Sequence, residues 1–315
     1  MSLNQTRKDI LSIYDLNPEW LDGLKYNPIR EIINKGKSYH LISLAINVFG
    51  VLRANHIIKN INSNHYKQQN VINVIEEIKA IKYQLSSSPK KNQEDRALSL
   101  ISLISKIDYF CVYSKFEIDD LIKSIIKNQL FYLSENLNYQ SKLIFYIIKL
   151  NYKNIYIEKA LKKIQSFQNK DGGWPLSVSS KNKDSDVFTS LLVHRCFLEN
   201  SLWKNKDFLK GSERFLIKSH ISKTNTSQEL DRWNRIYVGY RKNNLFEGGT
   251  LLLLESLLLS DSQPRELKAL LKWLKGLQLN NGFFPYHSKL KNQPNFTSTI
   301  KILSLFKKAY LMRNI

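Results

Sequence analysis

The chain has 315 residues, of which 43% are hydrophobic and 24% are charged, a balance that excludes an intrinsically disordered protein and allows a sizeable core. Lys and Arg outnumber Asp and Glu by 48 to 27, so the formal net charge is +21. Charged residues interrupt the apolar runs well short of the roughly 20 residues of a membrane span, so we expect no transmembrane helix.

Apolar residues recur with helical spacing through nearly the whole chain. No segment alternates as a half-buried strand does, so we predict an all-α protein. Clusters of Asn, Gly, Ser and Pro mark the turns. The predicted helices, twelve in all, span 17–34, 37–60, 70–86, 93–111, 118–133, 138–150, 155–168, 184–200, 206–221, 246–260, 263–278 and 294–311.

These predicted helices differ in character. Three are apolar nearly all round, which predicts an inner position: 138–150, 184–200 and 246–260. Three are amphipathic and lysine-rich on one face, which predicts an outer position: 118–133, 155–168 and 263–278. The periodicity fits either a closed ring of helical hairpins or an open solenoid. We expect one domain, 1–315, in which the segment 222–245 is either a lid over a cavity or an ordinary packed insertion.

A short motif occurs twice, as QNKDGGWP at 168–175 and as QLNNGFFP at 278–285. Each copy follows an amphipathic helix and precedes an apolar one. The Gln can bond free backbone groups at a helix junction, Gly permits the positive φ that ends a helix, and Pro prevents its continuation. The two copies therefore indicate a repeated structural unit.

The first copy, with Ile164, Gln168, Asp171 and Trp174 in register, resembles the QW motif of triterpene cyclases such as squalene–hopene cyclase and of related class II terpene cyclases. The copy at 278–285 resembles a degenerate version. The resemblance is strong around 156–200, weaker around 263–311 and absent from 1–135. It implies a single (α/α)6 toroid of about twelve alternating inner and outer helices, a fold that protein prenyltransferase β-subunits share.

The same resemblance implies an isomerase- or lyase-type enzyme that binds an isoprenoid and cyclises or isomerises it through carbocations, without a cofactor. Class II cyclases protonate an alkene with a carboxylic acid that a dry pocket keeps neutral. Their acid motif, Asp-x-Asp-Asp followed by Thr at the start of an inner helix, is matched in part by Asp184, Asp186 and Thr189. Helix capping is the competing interpretation of both aspartates.

In such a toroid the helices 37–60, 93–111 and 294–311 would also be inner ones, and further candidates follow from their places on the inner helices. Glu247 and Asp95 are alternatives or partners for the catalytic acid. Aromatic rings that line a cavity can stabilise a carbocation, although ordinary helix packing uses the same residues. The candidate substrate-binding residues are His40, Tyr139, Phe145, Tyr146, Phe188, Phe246, Thr250 and Phe296.

Other chemical signals are weaker. The run 117–120, EIDD, matches the acid motif by letters but opens a predicted outer helix, where its carboxylates would face solvent. The prenyltransferase zinc site uses Asp-x-Cys and a distant His, and Asp184-x-Asp186 lacks the thiolate, so we expect no metal. His194 and Cys196 lie two apart on a helix and therefore on different faces, which favours core positions.

The partners and the cellular compartment are predicted from the net charge and from the N-terminal sequence. The first residues are polar and lack an apolar signal region, and the two cysteines sit in apolar helical sequence, so we expect a cytoplasmic protein without disulfides. The charge permits association with an anionic membrane, but lysines are spread singly, and we expect no nucleic-acid partner. The alternative functions are a non-catalytic toroid that binds a hydrophobic ligand or peptide, and a prenyltransferase-type subunit.

Overall fold

A computed structural model describes residues 4, 7–8, 10–11, 15–37, 40–41, 44, 48–49, 135–149, 155–179, 183–222, 233, 249–260, 265–285 and 293–313. Within these residues the protein is helical, and the only β-type pairing consists of isolated bridges. After helical residues at 4, 7–8 and 10–11, a 3-10 helix spans Glu19–Leu21. The α-helices are α1 (Ile29–Lys35), α2 (Leu137–Lys149), α3 (Ile155–Gln165), α4 (Val187–Leu198), α5 (Phe208–Ser222), α6 (Gly249–Leu259), α7 (Arg265–Lys275) and α8 (Phe296–Arg313).

The predicted helices from residue 138 onward are confirmed to within a few residues as α2 to α8. The prediction of one helix over 17–34 is wrong, because the chain forms the short 3-10 helix, turns, and starts again as α1. Gly23 has φ +84 in that turn, and Asn27 accepts a hydrogen bond from the backbone of Ile29 at 2.9 Å. The predicted helices at 70–86, 93–111 and 118–133 lie outside the described residues, and so does most of 37–60.

Burial separates two kinds of helix. Every residue of α4 after Val187 is buried, and so is every residue of α6 except the last. In α7, by contrast, the buried residues are Leu267, Leu270, Leu271 and Leu274, which share one helix face. The sequence prediction of fully apolar core helices and one-sided outer helices holds for these three elements.

The two copies of the repeated motif fold into the same turn. Gln168 Nε2 donates to the carbonyl of Gly172, and Gln278 Nε2 donates to that of Gly282, both at 2.9 Å. These two glycines have φ of +93 and +83, values that favour glycine over any L-residue. The Gln and the Gly are therefore common to both turns. The identity of the buried aromatic residue differs, since it is Trp174 in one copy and Phe284 in the other.

Each of these glutamines also reaches a second segment of the chain. Gln168 Nε2 donates to the carbonyl of Phe208, at the start of α5, at 3.3 Å. Gln278 Nε2 donates to the carbonyl of Tyr26, shortly before α1, at 2.6 Å. The second motif copy thus bonds to the segment before α1 in the way that the first copy bonds to the start of α5.

A second set of contacts joins the N-terminal segment to α8. Buried apolar residues of both parts form one cluster, which includes Ile29, Ile33 and Leu44 together with Ile300 and Leu303. Lys307 Nζ donates to the carbonyl of Val48 at 2.5 Å. The beginning and the end of the described chain therefore share a core.

We call α2, α4, α6 and α8 the core helices, since α2 packs on α4, α4 on α6, and α6 on α8. Near the N-terminal ends of α2 and α4, Asn138 Nδ2 donates to Thr189 Oγ1 at 3.3 Å. In the C-terminal halves of α4 and α6, Arg195 Nη2 lies 3.8 Å from Glu255 Oε2. Since Gly249 at the start of α6 also abuts Phe188 at the start of α4, these helices run in the same direction.

Trp233 is the one residue between 223 and 248 that the structure describes. Its exposed fraction is 2%, and its carbonyl accepts a hydrogen bond from Thr250 Oγ1 at 2.6 Å. In the first motif copy, Ser190 Oγ bonds the carbonyl of Trp174 in the corresponding way, at 3.3 Å. Trp233 itself is therefore packed into the core.

Candidate functional site at the ends of the core helices

Asp186 is the N-cap of α4. Its Oδ1 accepts a hydrogen bond from the backbone N–H of Thr189 at 2.7 Å. Asn136 caps α2 in the same way through the N–H of Tyr139 at 3.0 Å, and Asn295 caps α8 through that of Ser298 at 2.8 Å. Capping needs only a side-chain oxygen, which an amide supplies as well as a carboxylate does. The acidic group at position 186 is therefore a chemical difference between α4 and the core helices α2 and α8.

Asp184 is exposed, three residues before the first residue of α4. The loop that carries it is fixed to the first motif copy, because Ser185 Oγ donates to Asp171 Oδ1 at 2.8 Å and Asn169 Nδ2 donates to Ser185 Oγ at 3.0 Å. The motif turn thus positions the two aspartates at the start of a core helix. Asp184 faces solvent there, while Asp186 is half-buried.

Phe188 and Thr250 come together around Trp233. The rings of Phe188 and Trp233 are tilted against each other with centroids 5.2 Å apart, and Phe188 is 5% exposed. A Cβ on Gly249 would lie 2.8 Å from both rings, so the small residue is what allows this close approach. His220 Nε2 lies 3.3 Å from Thr250 Oγ1 and completes the group.

His40 and Phe296 form a second aromatic group, with stacked rings whose centroids are 4.8 Å apart. The ring of Phe283, from the second motif copy, lies 4.8 Å from that of Phe296. Burial, with a smaller contribution from the charge of Lys37, lowers the pKa of His40 to about 4. This imidazole is therefore neutral at physiological pH and suits an apolar contact.

The other predicted site residues are placed as follows. Tyr139 is buried near the start of α2, whereas Phe145 lies farther along that helix, with the guanidinium carbon of Arg195 5.8 Å from its ring centroid. Tyr146 belongs to α2, but its side chain lies outside the described part. Glu247, Asp95 and Phe246 also lie outside the described residues. Among the described candidates on the core helices, Phe145 therefore lies toward the C-terminal end, near Arg195, and the others lie near the N-terminal ends.

A cleft of about 360 Å³ opens near the C-terminal ends of α4 and α6, against α8. We call it the basic cleft, because four cations and two carboxylates line it: Arg195, Lys301, Lys307, Lys308, Glu199 and Glu255. Arg195 Nη2 contacts Glu199 Oε1 at 2.5 Å, and Lys301 forms an ion pair with Glu255. The sequence analysis did not predict this site.

A signal for the basic cleft was nevertheless present in the sequence. Glu255 interrupts LLLLESLLL, and Arg195 interrupts LLVHRCFL, in helices that are otherwise almost wholly apolar. Because charges are rarely buried without partners, a lone charge in a fully buried helix predicts an opposite charge on a neighbouring helix. Pairing Arg195 with Glu255 required knowledge of which helices are adjacent.

His194 and Cys196 flank Arg195 and are both buried in the core, as predicted. Burial, with a smaller effect of Arg195, lowers the pKa of His194 to about 3. Burial also raises the pKa of the Cys196 thiol, with a smaller contribution from Glu199. A neutral imidazole and a protonated thiol of this kind are core groups and not nucleophiles.

Metal-ligand clusters and membrane-spanning helices are two further features that would bear on function. Nowhere in the described part of the chain do three or more His, Cys, Asp or Glu side chains gather as a metal site would require. None of its helices combines the length and apolarity needed to cross a membrane. Comparison of the chain with models of known protein families, with curated proteins and with solved structures finds no match.

Proposed function

We propose that this protein is a terpene-cyclase-like enzyme built on a single (α/α)6 toroid, in which an isoprenoid binds among the core helices and undergoes carbocation cyclisation or isomerisation. The observation that carries the proposal is the QW-like turn. It forms with the same internal hydrogen bond at Gln168 and at Gln278. The first copy connects α3 to the core helix α4, and the second connects α7 to the core helix α8.

Closure into a ring is supported by the bonds of these two glutamines. Gln168 holds the start of the next outer helix, at Phe208, and Gln278 holds Tyr26, before α1. The N-terminal segment thus takes the place of the unit that follows α8. A toroid also requires sequential contacts between the core helices, which link α2, α4, α6 and α8, and a common direction, which α4 and α6 share.

The candidate acid is Asp186 or Asp184, at the start of α4. Helix N-termini carry partial positive charge, and a cap position places a carboxylate at the mouth of any cavity between the core helices. Asn136 and Asn295 fill the equivalent cap positions of α2 and α8, so capping alone does not require an acid at 186.

The proposal is tested by incubating the purified protein with farnesyl diphosphate, geranylgeranyl diphosphate and squalene, and by analysing the products by gas chromatography and mass spectrometry. We expect a cyclised hydrocarbon or alcohol. The double variant Asp184→Asn/Asp186→Asn should lose this product and keep the helical circular dichroism of the parent. Turnover that survives in the double variant would refute the acid assignment.

A second function, a toroid that binds a hydrophobic ligand or a peptide without chemistry, is favoured by one specific observation. Asp184 is exposed and Asp186 is engaged in capping, whereas an acid that protonates an alkene needs a dry pocket. This alternative predicts that lipid extracted from the purified protein is a single species and that added isoprenoids are recovered unchanged. A prenyltransferase-type subunit would in addition need a partner chain and a metal.

The surface charge supports a peripheral role near anionic lipid. On α3 and α7, Lys159, Lys162, Lys163, Lys268 and Lys272 are all exposed. A hydrocarbon isoprenoid such as squalene partitions into lipid, and lysines near an anionic surface each contribute about 1 kcal/mol to association. Sedimentation with vesicles of phosphatidylserine and phosphatidylcholine should therefore exceed sedimentation with phosphatidylcholine alone.

A further inference from the structure

The basic cleft contains a cation whose hydrogen-bonding capacity is only partly used. Arg195 has a side-chain exposure of 6%, and its Nη2 is the nitrogen that contacts both Glu199 and Glu255. Its other two nitrogens, Nε and Nη1, are buried without a hydrogen-bond partner among the described residues. Buried donors without acceptors cost free energy, and in native proteins they commonly mark a bound water or ion.

The charge of the lining favours an anion. Four cations face two carboxylates, so the cleft has a formal excess of two positive charges. The nearby C-terminal ends of α4 and α6 carry partial negative charge, which explains why basic residues are favourable there. That partial charge does not provide an acceptor for Nε and Nη1 of Arg195. A phosphate or a carboxylate would provide one and would offset the excess charge.

The remaining lining is apolar and indicates what the anion is attached to. Leu259, Leu305 and Leu311 line the same cleft, and the exposed fraction of Leu311 is 50%. A volume of about 360 Å³ lies within the range of small-molecule sites. A free inorganic ion would leave these leucines in contact with water, whereas an alkyl or isoprenoid chain would cover them.

We propose that the basic cleft binds an amphiphile whose anionic head group, a phosphate or a carboxylate, contacts Arg195 and whose apolar chain packs on the three leucines. This site lies away from the aspartates at the start of α4 and goes beyond the proposed cyclisation. Its occupancy is measured without turnover, so a failure of the one proposal does not imply a failure of the other.

The test is isothermal titration calorimetry of the full chain with four probes: dodecyl phosphate, dodecanoate, dodecanol and inorganic phosphate. The two anionic amphiphiles are kept below their critical micelle concentrations, and dodecanol is kept below its solubility limit. At least one of the two anionic amphiphiles should bind about tenfold more tightly than both dodecanol and inorganic phosphate. The ranking of dodecyl phosphate against dodecanoate identifies the head group. Equal binding of dodecanol, equal binding of inorganic phosphate, or binding of neither anionic amphiphile overturns the proposal.

Three variants locate the binding. Arg195→Lys keeps a positive charge for Glu199 and Glu255 but removes the guanidinium donors, and should weaken the preferred amphiphile by about tenfold. Lys308→Gln removes one cation of the cleft while Arg195, Lys301 and their carboxylate partners stay in place, and should weaken binding by about threefold or more. Lys170→Gln, in the exposed turn of the first motif copy before α4, is the matched control and should bind as the parent does.

Circular dichroism establishes that each variant is folded. If Arg195→Lys fails to fold, the comparison of Lys308→Gln with Lys170→Gln still tests the site. Parental affinity in Lys308→Gln, or equal losses in Lys308→Gln and Lys170→Gln, would show that the amphiphile binds elsewhere and would overturn the assignment.

Discussion

Gln278 and Tyr26 are 252 residues apart in the chain, yet the side chain of one is bonded to both backbone groups of the other. Nε2 donates to the Tyr26 carbonyl at 2.6 Å, and Oε1 accepts from the Tyr26 N–H at 3.2 Å. Oε1 also accepts from the N–H of Lys25 at 2.7 Å. One amide thus holds the end of the chain against its beginning.

The first prediction concerns the two motif glutamines. Gln278→Ala should lower the free energy of unfolding by about 2–4 kcal/mol, because four hydrogen bonds are lost, and Gln168→Ala by about 1–2 kcal/mol, because two are lost. Urea unfolding followed by circular dichroism measures both. Gln165→Ala, in the last turn of α3, is the control and should change little. Equal losses in the two motif variants would contradict the special role of Gln278.

The motif glycines provide a second, sharper comparison. A Cβ on Gly172 would lie 2.4 Å from the carbonyl oxygen of Gly211, at a φ of +93. Gly172→Ala should therefore destabilise the protein by roughly 2 kcal/mol or more, since both strain and a backbone clash oppose it. Gly282→Ala, whose nearest contact is the Tyr26 Cβ at 3.2 Å, should cost less.

Gly211 is the matched control for Gly172, because the two residues face each other. A Cβ on Gly211 would meet nothing closer than the Gly172 Cα at 4.0 Å, and the residue lies inside α5. Gly211→Ala should therefore be neutral or should stabilise the protein by about 0.5–1 kcal/mol. Thermal melts compare the variants directly, and a destabilised Gly211→Ala would disprove this description of the turn.

The third prediction separates capping from chemistry at Asp186. Asp186→Asn should leave stability within about 0.5 kcal/mol, since Asn caps α2 and α8 in the equivalent positions, whereas Asp186→Ala should cost about 1 kcal/mol. Chemical unfolding at neutral pH gives both values. A large loss in Asp186→Asn would mean that the carboxylate charge itself is structural, and such a variant would be unsuitable as a probe of catalysis.

The fourth prediction follows from the buried imidazole of His194, whose pKa is lowered to about 3 in the folded protein against about 6.5 in an unfolded chain. Protonation then favours unfolding, so the contribution is fully present above pH 6.5 and is lost as the pH falls toward 3. The free energy of unfolding should fall by up to about 1.4 kcal/mol per pH unit in that window from this residue alone.

The variant that checks this is His194→Leu, because neither ring nitrogen has a hydrogen-bond partner among the described residues. At pH 7.5 its stability should be close to that of the parent or higher, since no hydrogen bond is lost. Between pH 6.5 and 5 its stability should decline less steeply. Identical slopes in the two proteins would show that His194 is not the group responsible.

The sequence predicted what depends on local periodicity. Helices α2 to α8, the buried character of α4 and α6 and the motif turn at Gly172 and Gly282 all follow from residues within a few turns of one another. The break between the 3-10 helix and α1 was missed, because the apolar spacing continues across it while Pro28 and the Asn27 side chain interrupt the backbone bonding.

Long-range pairing was beyond the sequence. The partner of Gln278 is the backbone of Tyr26, which has no side-chain signature. The basic cleft is assembled from three helices, and Arg195 and Glu255 become partners only when α4 and α6 pack. The aspartates were predictable in part. The sequence places them at the start of α4, but it allows both a catalytic acid and a helix cap, and the structure shows the capping bond of Asp186.

Acid-initiated isoprenoid chemistry is the function that we propose for this helical protein, and product analysis with paired variants is the strongest test of it. The parent and Asp184→Asn/Asp186→Asn are incubated with farnesyl diphosphate, geranylgeranyl diphosphate and squalene under identical conditions, with circular dichroism as the folding control. We expect a cyclised or isomerised product that the parent forms and the equally folded double variant does not. Recovery of every substrate unchanged from the parent would contradict it and would leave ligand binding as the function.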